Sequence, residues 1–172
     1  MKVIRHKLTG TLEENIGTVA QVLKKQLTTG ISSIEVRELA EEIIKNVPAR
    51  DKAGEIKAIH KWCVGHLRFT GDPYQIELLE SPRRLVEKYR KTGKIMVDCD
   101  SIAPLEASLL GTVGHRASVV LIDANPLHRD YSHVIGQVWY GGRWVSLDPI
   151  ADGKIGFAPK HTKELRIEAN HG

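Results

Sequence analysis

Up to about residue 110, apolar positions recur mostly at helical spacing, and beyond it they crowd into short β-branched runs. Residues 2–8 read as a short strand ending before Gly10. From Leu12, the residues Ile16, Val19, Ala20, Leu23 and Leu27 share one helical face; Thr11 with Glu14 makes a capping box, and Gly30 is the expected stop. A second helix should start near Ser32 or Ser33, with Glu35 closing its box. It would bury Val36, Leu39, Ala40, Ile43 and Val47 and end at Pro48. A third spans about Lys52 to His66, its stripe made of Ile56, Ile59, His60, Cys63 and Leu67. After the turn-rich Thr70-Gly71-Asp72-Pro73, Ser81-Pro82 opens a fourth helix, since Pro is favoured at the first helical position.

Past Gly93 the pattern changes. Residues 100–110 are helical, with Gly111 and Gly114 expected to end them, and Arg116 to Asp123 form a strand. Beyond a polar loop from Ala124 to Asp130, Tyr131–Tyr140 and Arg143–Asp148 flank Gly141-Gly142, a strong hairpin signal. A loose tail with a short strand at Leu165–Ile167 closes the chain. Helices followed by one helix leading into antiparallel strands make an α+β arrangement. It is read as a single domain over 1–172: a mainly helical lead-in over 1–95, a core over 96–150 and a tail over 151–172.

Composition narrows the class. At 172 residues and 41% hydrophobic content, the core is large enough to stand without disulfide or metal staples. Lysine and arginine exceed aspartate and glutamate by 25 to 21, and aromatics make up only 5%, which argues against a nucleic-acid partner. The fourth helix carries Arg83, Arg84, Lys88, Arg90, Lys91 and Lys94, read as a solvated basic face rather than a site for an anionic partner. MKVIRHKLTG lacks the apolar run of a signal peptide, and Ser118–Ile122 is far too short to span a bilayer. Two cysteines fit free thiols in a reducing, cytoplasmic setting with no membrane partner.

The chemistry gathers at Val97-Asp98-Cys99-Asp100-Ser101. Cys99 stands where a helix begins, and a helix N-terminus favours the thiolate that a nucleophile requires. If Gly141 and Gly142 are the hairpin loop, Tyr140 faces Arg143, Ile135 faces Asp148 and His133 faces Ile150. His133 and Asp148 are then diagonal neighbours on one face, with backbones roughly 7–8 Å apart, close enough to share a hydrogen bond. His133 can serve as base and Asp148 can hold its tautomer and steady its positive charge, with the Cys99 N–H as one oxyanion donor. Gln75 and Trp139 are the candidates for the second donor. Asp98 and Asp100 would raise the thiol pKa if they faced it, unless Asp98 caps the helix and Asp100 binds elsewhere. Cys63 reads as core, and His60, Cys63 and His66 do not make a metal site, since no fourth ligand is evident. No cofactor is expected. Trp139 and Trp144 face each other as a packing pair that could also wall the cleft.

The runs VDCDSIAPLEASLLGTVGHRASVV and HVIGQVWYGGRWVSLDPI resemble the core of the transglutaminase-like superfamily of papain-like thiol enzymes. Ile59-His60-Lys61-Trp62 through Asp72-Pro73 to Ser81-Pro82 resembles the helical lead-in of its microbial and phage members, so the resemblance covers roughly residues 55–150. It implies a catalytic helix packed on an antiparallel sheet, with Cys99 as nucleophile, His133 as base and Asp148 as orienting acid. Val97 stands where the family has glycine, and Ser101 where a further acidic residue is common. The implied reaction is acyl transfer through a thioester on a protein or peptide substrate. Hydrolysis of a peptide or isopeptide amide is expected first. Amine transfer onto glutamine and a catalytically idle binding or assembly module are the alternatives.

Overall fold

A computed structural model describes residues 4–6, 12–70, 77–125, 127 and 131–169. The Thr11–Glu14 capping box, the connection from Gly71 to Pro73, and Gln75 lie outside what it describes. The elements run β1 (Ile4–His6), α1 (Leu12–Ile31), α2 (Ile34–Ile44), α3 (Lys52–His66), β2 (Leu67–Phe69), β3 (Glu77–Leu79), α4 (Pro82–Thr92), β4 (Ile95–Val97), α5 (Cys99–Thr112), β5 (Ala117–Ile122), β6 (His133–Tyr140), β7 (Arg143–Leu147) and β8 (Glu164–Glu168).

Local chemistry explains most helix ends. Ser33, Asp51 and Ser81 cap α2, α3 and α4, each side chain accepting a first-turn N–H, and Gly93 closes α4 at φ 74°. Two glycines expected to stop helices instead lie inside them. α1 runs through Gly30 and α5 through Gly111, because the two helices pack too closely for a side chain there. A Cβ on Gly30 would lie 2.2 Å from Ser108 Oγ, and one on Gly111 would lie 2.6 Å from Ile31 Cγ1. Helix propensity alone would make Gly30→Ala stabilising by about 1 kcal/mol. The crossing reverses that sign, so Gly30→Ala should cost about 1–3 kcal/mol, read as a lower urea midpoint.

The basic face of α4 is largely paired within the chain. Arg90 holds Glu42 of α2 through two hydrogen bonds of 2.7 and 2.5 Å, Arg83 reaches Glu35 and Glu87, and Lys88 and Arg84 both bind Glu80. The exposed pairs among these contribute little to stability, but together the pairs use these cations internally.

α5 is the centre of the fold. Leu105, Leu109 and Leu110 are fully buried, and Leu109 and Leu105 share one core with Leu23 and Leu27 of α1, Ile59 of α3 and Leu85 of α4. One face of the main sheet joins that core through Val119, Leu121, Val134, Val138 and Leu147. The opposite face carries a small cluster of Val120, Ile122 and Ile135, against which Ala124 and Ala158 pack. The sheet order is β7-β6-β5-β8, all pairs antiparallel. The tail is therefore less loose than its sequence reads: β8 pairs along β5 from Ser118↔Glu168 to Ile122↔Glu164. Asp123 pins its approach, accepting from the Thr162 and Lys163 amides and the Thr162 hydroxyl.

Among the described residues, the three-residue strands β1, β2 and β3 lie between the helices of the lead-in, and β4 joins it to the core. β1 pairs antiparallel with β3, and β2 pairs parallel with β4. The second pairing matters most. It sets Phe69 against Val97, with the Thr70 N–H donating to the Val97 carbonyl at 3.0 Å, and so fixes the chain immediately before Cys99. Among the described residues, no helix is long and apolar enough to cross a membrane.

Candidate active site

Cys99 is the first residue of α5, and Asp98 is its N-cap, accepting from the Ser101 N–H at 3.2 Å. Asp98 therefore does what a capping residue should. Asp100, whose direction the sequence leaves open, faces the thiol: its Oδ1 lies 3.5 Å from the Cys99 sulfur. Burial pushes the Cys99 thiol well above the ordinary range, and the Asp100 and Asp98 charges add to it, against an opposing pull from the Val134 N–H. At neutral pH the proton stays on sulfur.

His133 is the first residue of β6, and its Nε2 lies 2.7 Å from Asp148 Oδ2. The hairpin register expected from Gly141-Gly142 is the one observed, with Tyr140↔Arg143 through Gly136↔Leu147 paired. The ladder ends there. Asp148 belongs to the turn that follows β7, and its Oδ1 accepts from the Ile150 and Ala151 amides at 3.0 and 3.1 Å. Burial opposes ionisation of Asp148, but the His133 hydrogen bond and charge, with those two amides, outweigh it and hold the carboxyl below its usual range. A carboxylate here can only accept, so Nε2 carries a proton and donates; in the neutral ring Nδ1 is then the acceptor nitrogen.

Cys99 and His133 line one cleft of about 300 Å³, together with Asn15, Ile16 and Val19 of α1, Asp100, Leu121, Tyr131, Ser132 and Val134. Trp139 and Trp144 do form the expected packing pair, edge to face with centroids 5.5 Å apart, but they are not among the residues of this cleft. Arg116 and Arg166 lie over Trp144 instead.

Sequence reading missed a second buried pair. His60 Nδ1 lies 2.6 Å from Glu106 Oε1, and its Nε2 lies 3.0 Å from the Gly153 carbonyl oxygen. Glu106 is fully buried inside α5, where its place as the one charged residue beyond the first turn was the available signal. Cys63 is core, and His66 accepts no second such role: its Nδ1 donates to the Trp62 carbonyl. Among the described residues, no group of three or more histidines, cysteines and carboxylates could hold a metal ion.

The pair has a consequence for stability. Gly153 O can only accept, so His60 Nε2 is protonated and a single further proton is shared between Nδ1 and Glu106. Burial disfavours charge on His60, yet Glu106 and the Gly153 carbonyl raise its pKa above 6.5. That contribution is complete below pH 6.5 and lost as pH rises through the folded value. His115 runs the other way: burial lowers its pKa below 6.5 despite Glu55 at 2.8 Å, so its contribution is lost as pH falls through the folded value. The urea midpoint should therefore fall as the pH rises above 6.5, and His115→Gln should lessen the loss on the acid side.

Residues 37–149 match the family model of the transglutaminase-like superfamily. No curated protein matches the chain. Among solved structures, a candidate protease from Parabacteroides distasonis aligns with TM-score 0.57 and 14% identity, covering 76% of this chain and 26% of that one. A candidate cysteine protease from Cytophaga hutchinsonii aligns with TM-score 0.50 and 14% identity, over 76% and 49%. Legionella pneumophila LapG aligns with TM-score 0.51 and 14% identity, over 77% and 75%. The chain thus spans about a quarter and about half of the first two. At such identities the likeness is one of fold: an α+β architecture with the helix of Cys99 packed on an antiparallel sheet. With the family match covering well over half of its length, the chain belongs to the transglutaminase-like superfamily.

Proposed function

We propose that the chain is a thiol hydrolase that cleaves a peptide or isopeptide amide through Cys99, His133 and Asp148. The observation that carries this is the 2.7 Å hydrogen bond to Asp148 from His133, which lines the same cleft as Cys99, the first residue of α5. Because the resting thiol keeps its proton, His133 acts as general base rather than as half of a preformed ion pair. Nδ1 takes the thiol proton as sulfur attacks the amide carbon, and the Cys99 N–H is one donor to the developing oxyanion. The imidazolium, steadied by Asp148, gives that proton to the leaving amine as the C–N bond breaks. A water, deprotonated by the same nitrogen, then hydrolyses the thioester and restores the thiol.

Cleavage of a peptide pool, compared with amine incorporation into a glutamine donor, tests hydrolysis against acyl transfer. Cleavage that survives Cys99→Ala overturns the reading. One observation favours an idle binding module instead: the acidic residues beside Cys99 disfavour its thiolate. Iodoacetamide separates the two. A general-base site should label faster with His133 present than with His133→Gln, and an idle site should not respond. In either case the labelling rate should climb into the alkaline range without a neutral plateau. Asp100→Asn removes one opposing charge and should speed labelling at pH 7 several-fold, through a larger thiolate fraction.

A further inference from the structure

The cleft beside Cys99 has a wall that lies outside the segment shared with the superfamily. α1 ends at Ile31, before the matched residues 37–149 begin, yet Asn15, Ile16 and Val19 face the same space as Cys99 and His133. Leu121 and Val134 extend that wall from the sheet, so the apolar part is built from three elements: α1, β5 and β6. Both strand residues belong to the main core, against which Val19 packs, which makes this a rigid surface rather than a loop.

We infer that α1 selects the substrate: Ile16, Val19, Leu121 and Val134 form a subsite for one neutral apolar side chain next to the amide being cleaved. The inference rests on the hydrolase reading above. At about 300 Å³ the cleft is at the small end of ligand sites, enough for a single side chain and its amide but not for a long peptide. An apolar side chain gains by leaving water there, whereas a polar one would give up hydrogen bonds that four aliphatic residues cannot replace. An acidic side chain meets a further obstacle, since the Asp100 carboxyl lies in the same cleft.

Three reagents that alkylate Cys99 test this without a known substrate: iodoacetamide, N-benzyl iodoacetamide and iodoacetate. Each labelling rate at Cys99, located by mass spectrometry, is divided by the reagent's rate with free cysteine. The normalised N-benzyl rate should exceed that of iodoacetamide about tenfold, the usual scale for filling an apolar pocket, and iodoacetate should be slowest. Val19→Asp should bring the benzyl preference close to one, and Val19→Ser, the milder change if the first does not fold, should at least halve it. Lys24→Ala, on the exposed side of α1, should leave the preference as it was. A preference at or below one in the native chain, or one unchanged in a folded Val19 variant, overturns the inference. The hydrolase reading fails separately: iodoacetamide labelling indifferent to His133→Gln sinks the base, whatever the benzyl preference.

Discussion

Asp148→Asn should lower peptide cleavage by about 10³–10⁴-fold while leaving the chain folded. The size of that loss follows from where the amides point. Asp148 Oδ1 accepts from both the Ile150 and the Ala151 N–H, and Oδ2 accepts from His133 Nε2. An asparagine must put its carbonyl oxygen toward the two amides, because turning its NH₂ there would leave two donors facing a donor. Its NH₂ then faces His133 and donates to Nε2. That fixes the neutral ring with its proton on Nδ1, the nitrogen required to accept the thiol proton. On the proposed mechanism the ring is then in the wrong tautomer to act as base. Nitrogen-15 chemical shifts of the His133 ring would show the proton on Nε2 in the native chain and on Nδ1 in Asp148→Asn. A variant that keeps its cleavage rate within tenfold, or its native tautomer, would exclude the proposed role of Asp148.

His133 and Asp148 were legible together because a two-residue Gly-Gly loop fixes hairpin register, and register fixes which side chains share a face. Cys99 was legible as a helix start because Asp98 is a good N-cap and the pattern of α5 begins just after it. What was not legible depends on packing between distant segments. Gly30 and Gly111 look like helix stops in isolation and become interior residues only where α1 and α5 cross. β2 and β4 are three residues each, too short to show a period, and their parallel pairing joins segments that nothing local connects. The direction of Asp100 is a matter of side-chain geometry within one turn, and sequence leaves it open. The contribution of α1 to the cleft is hidden for a plainer reason. Ile16 and Val19 fit the apolar stripe of any amphipathic helix, and only the fold shows that its first turns reach the thiol.

Three substitutions at Glu106 should separate charge from hydrogen bonding in the buried pair. Glu106→Ala should cost about 3–5 kcal/mol, the usual result of removing one partner of a buried pair, because it leaves a cavity and strands His60 Nδ1. Glu106→Leu restores volume but still offers Nδ1 nothing, so it should recover only part of that loss. Glu106→Gln should cost no more than about 1 kcal/mol, the scale of one ordinary hydrogen bond. The reason is tautomeric. His60 already donates from Nε2 to the Gly153 carbonyl, so its neutral form has an acceptor at Nδ1, and a glutamine NH₂ can supply the donor. The remaining oxygen of Glu106 is buried without a hydrogen-bond partner, a position that suits a neutral amide oxygen better than half of a carboxylate. Glutamine also removes the negative charge that raises the His60 pKa, so the loss of stability above pH 6.5 should disappear with it. Urea titrations of the three variants at pH 6.5 and 8.5 measure both effects. A glutamine variant as unstable as the alanine one, or one that keeps the alkaline slope, would mean that the pair works through its charge. The turn from Asp148 to Gly153 links this to catalysis: the Gly153 N–H donates to the Asp148 carbonyl and the Gly153 carbonyl accepts from His60. Glu106→Gln should therefore hold Asp148 in place and keep most of the cleavage rate, and Glu106→Ala should lose it even at temperatures where the chain remains folded.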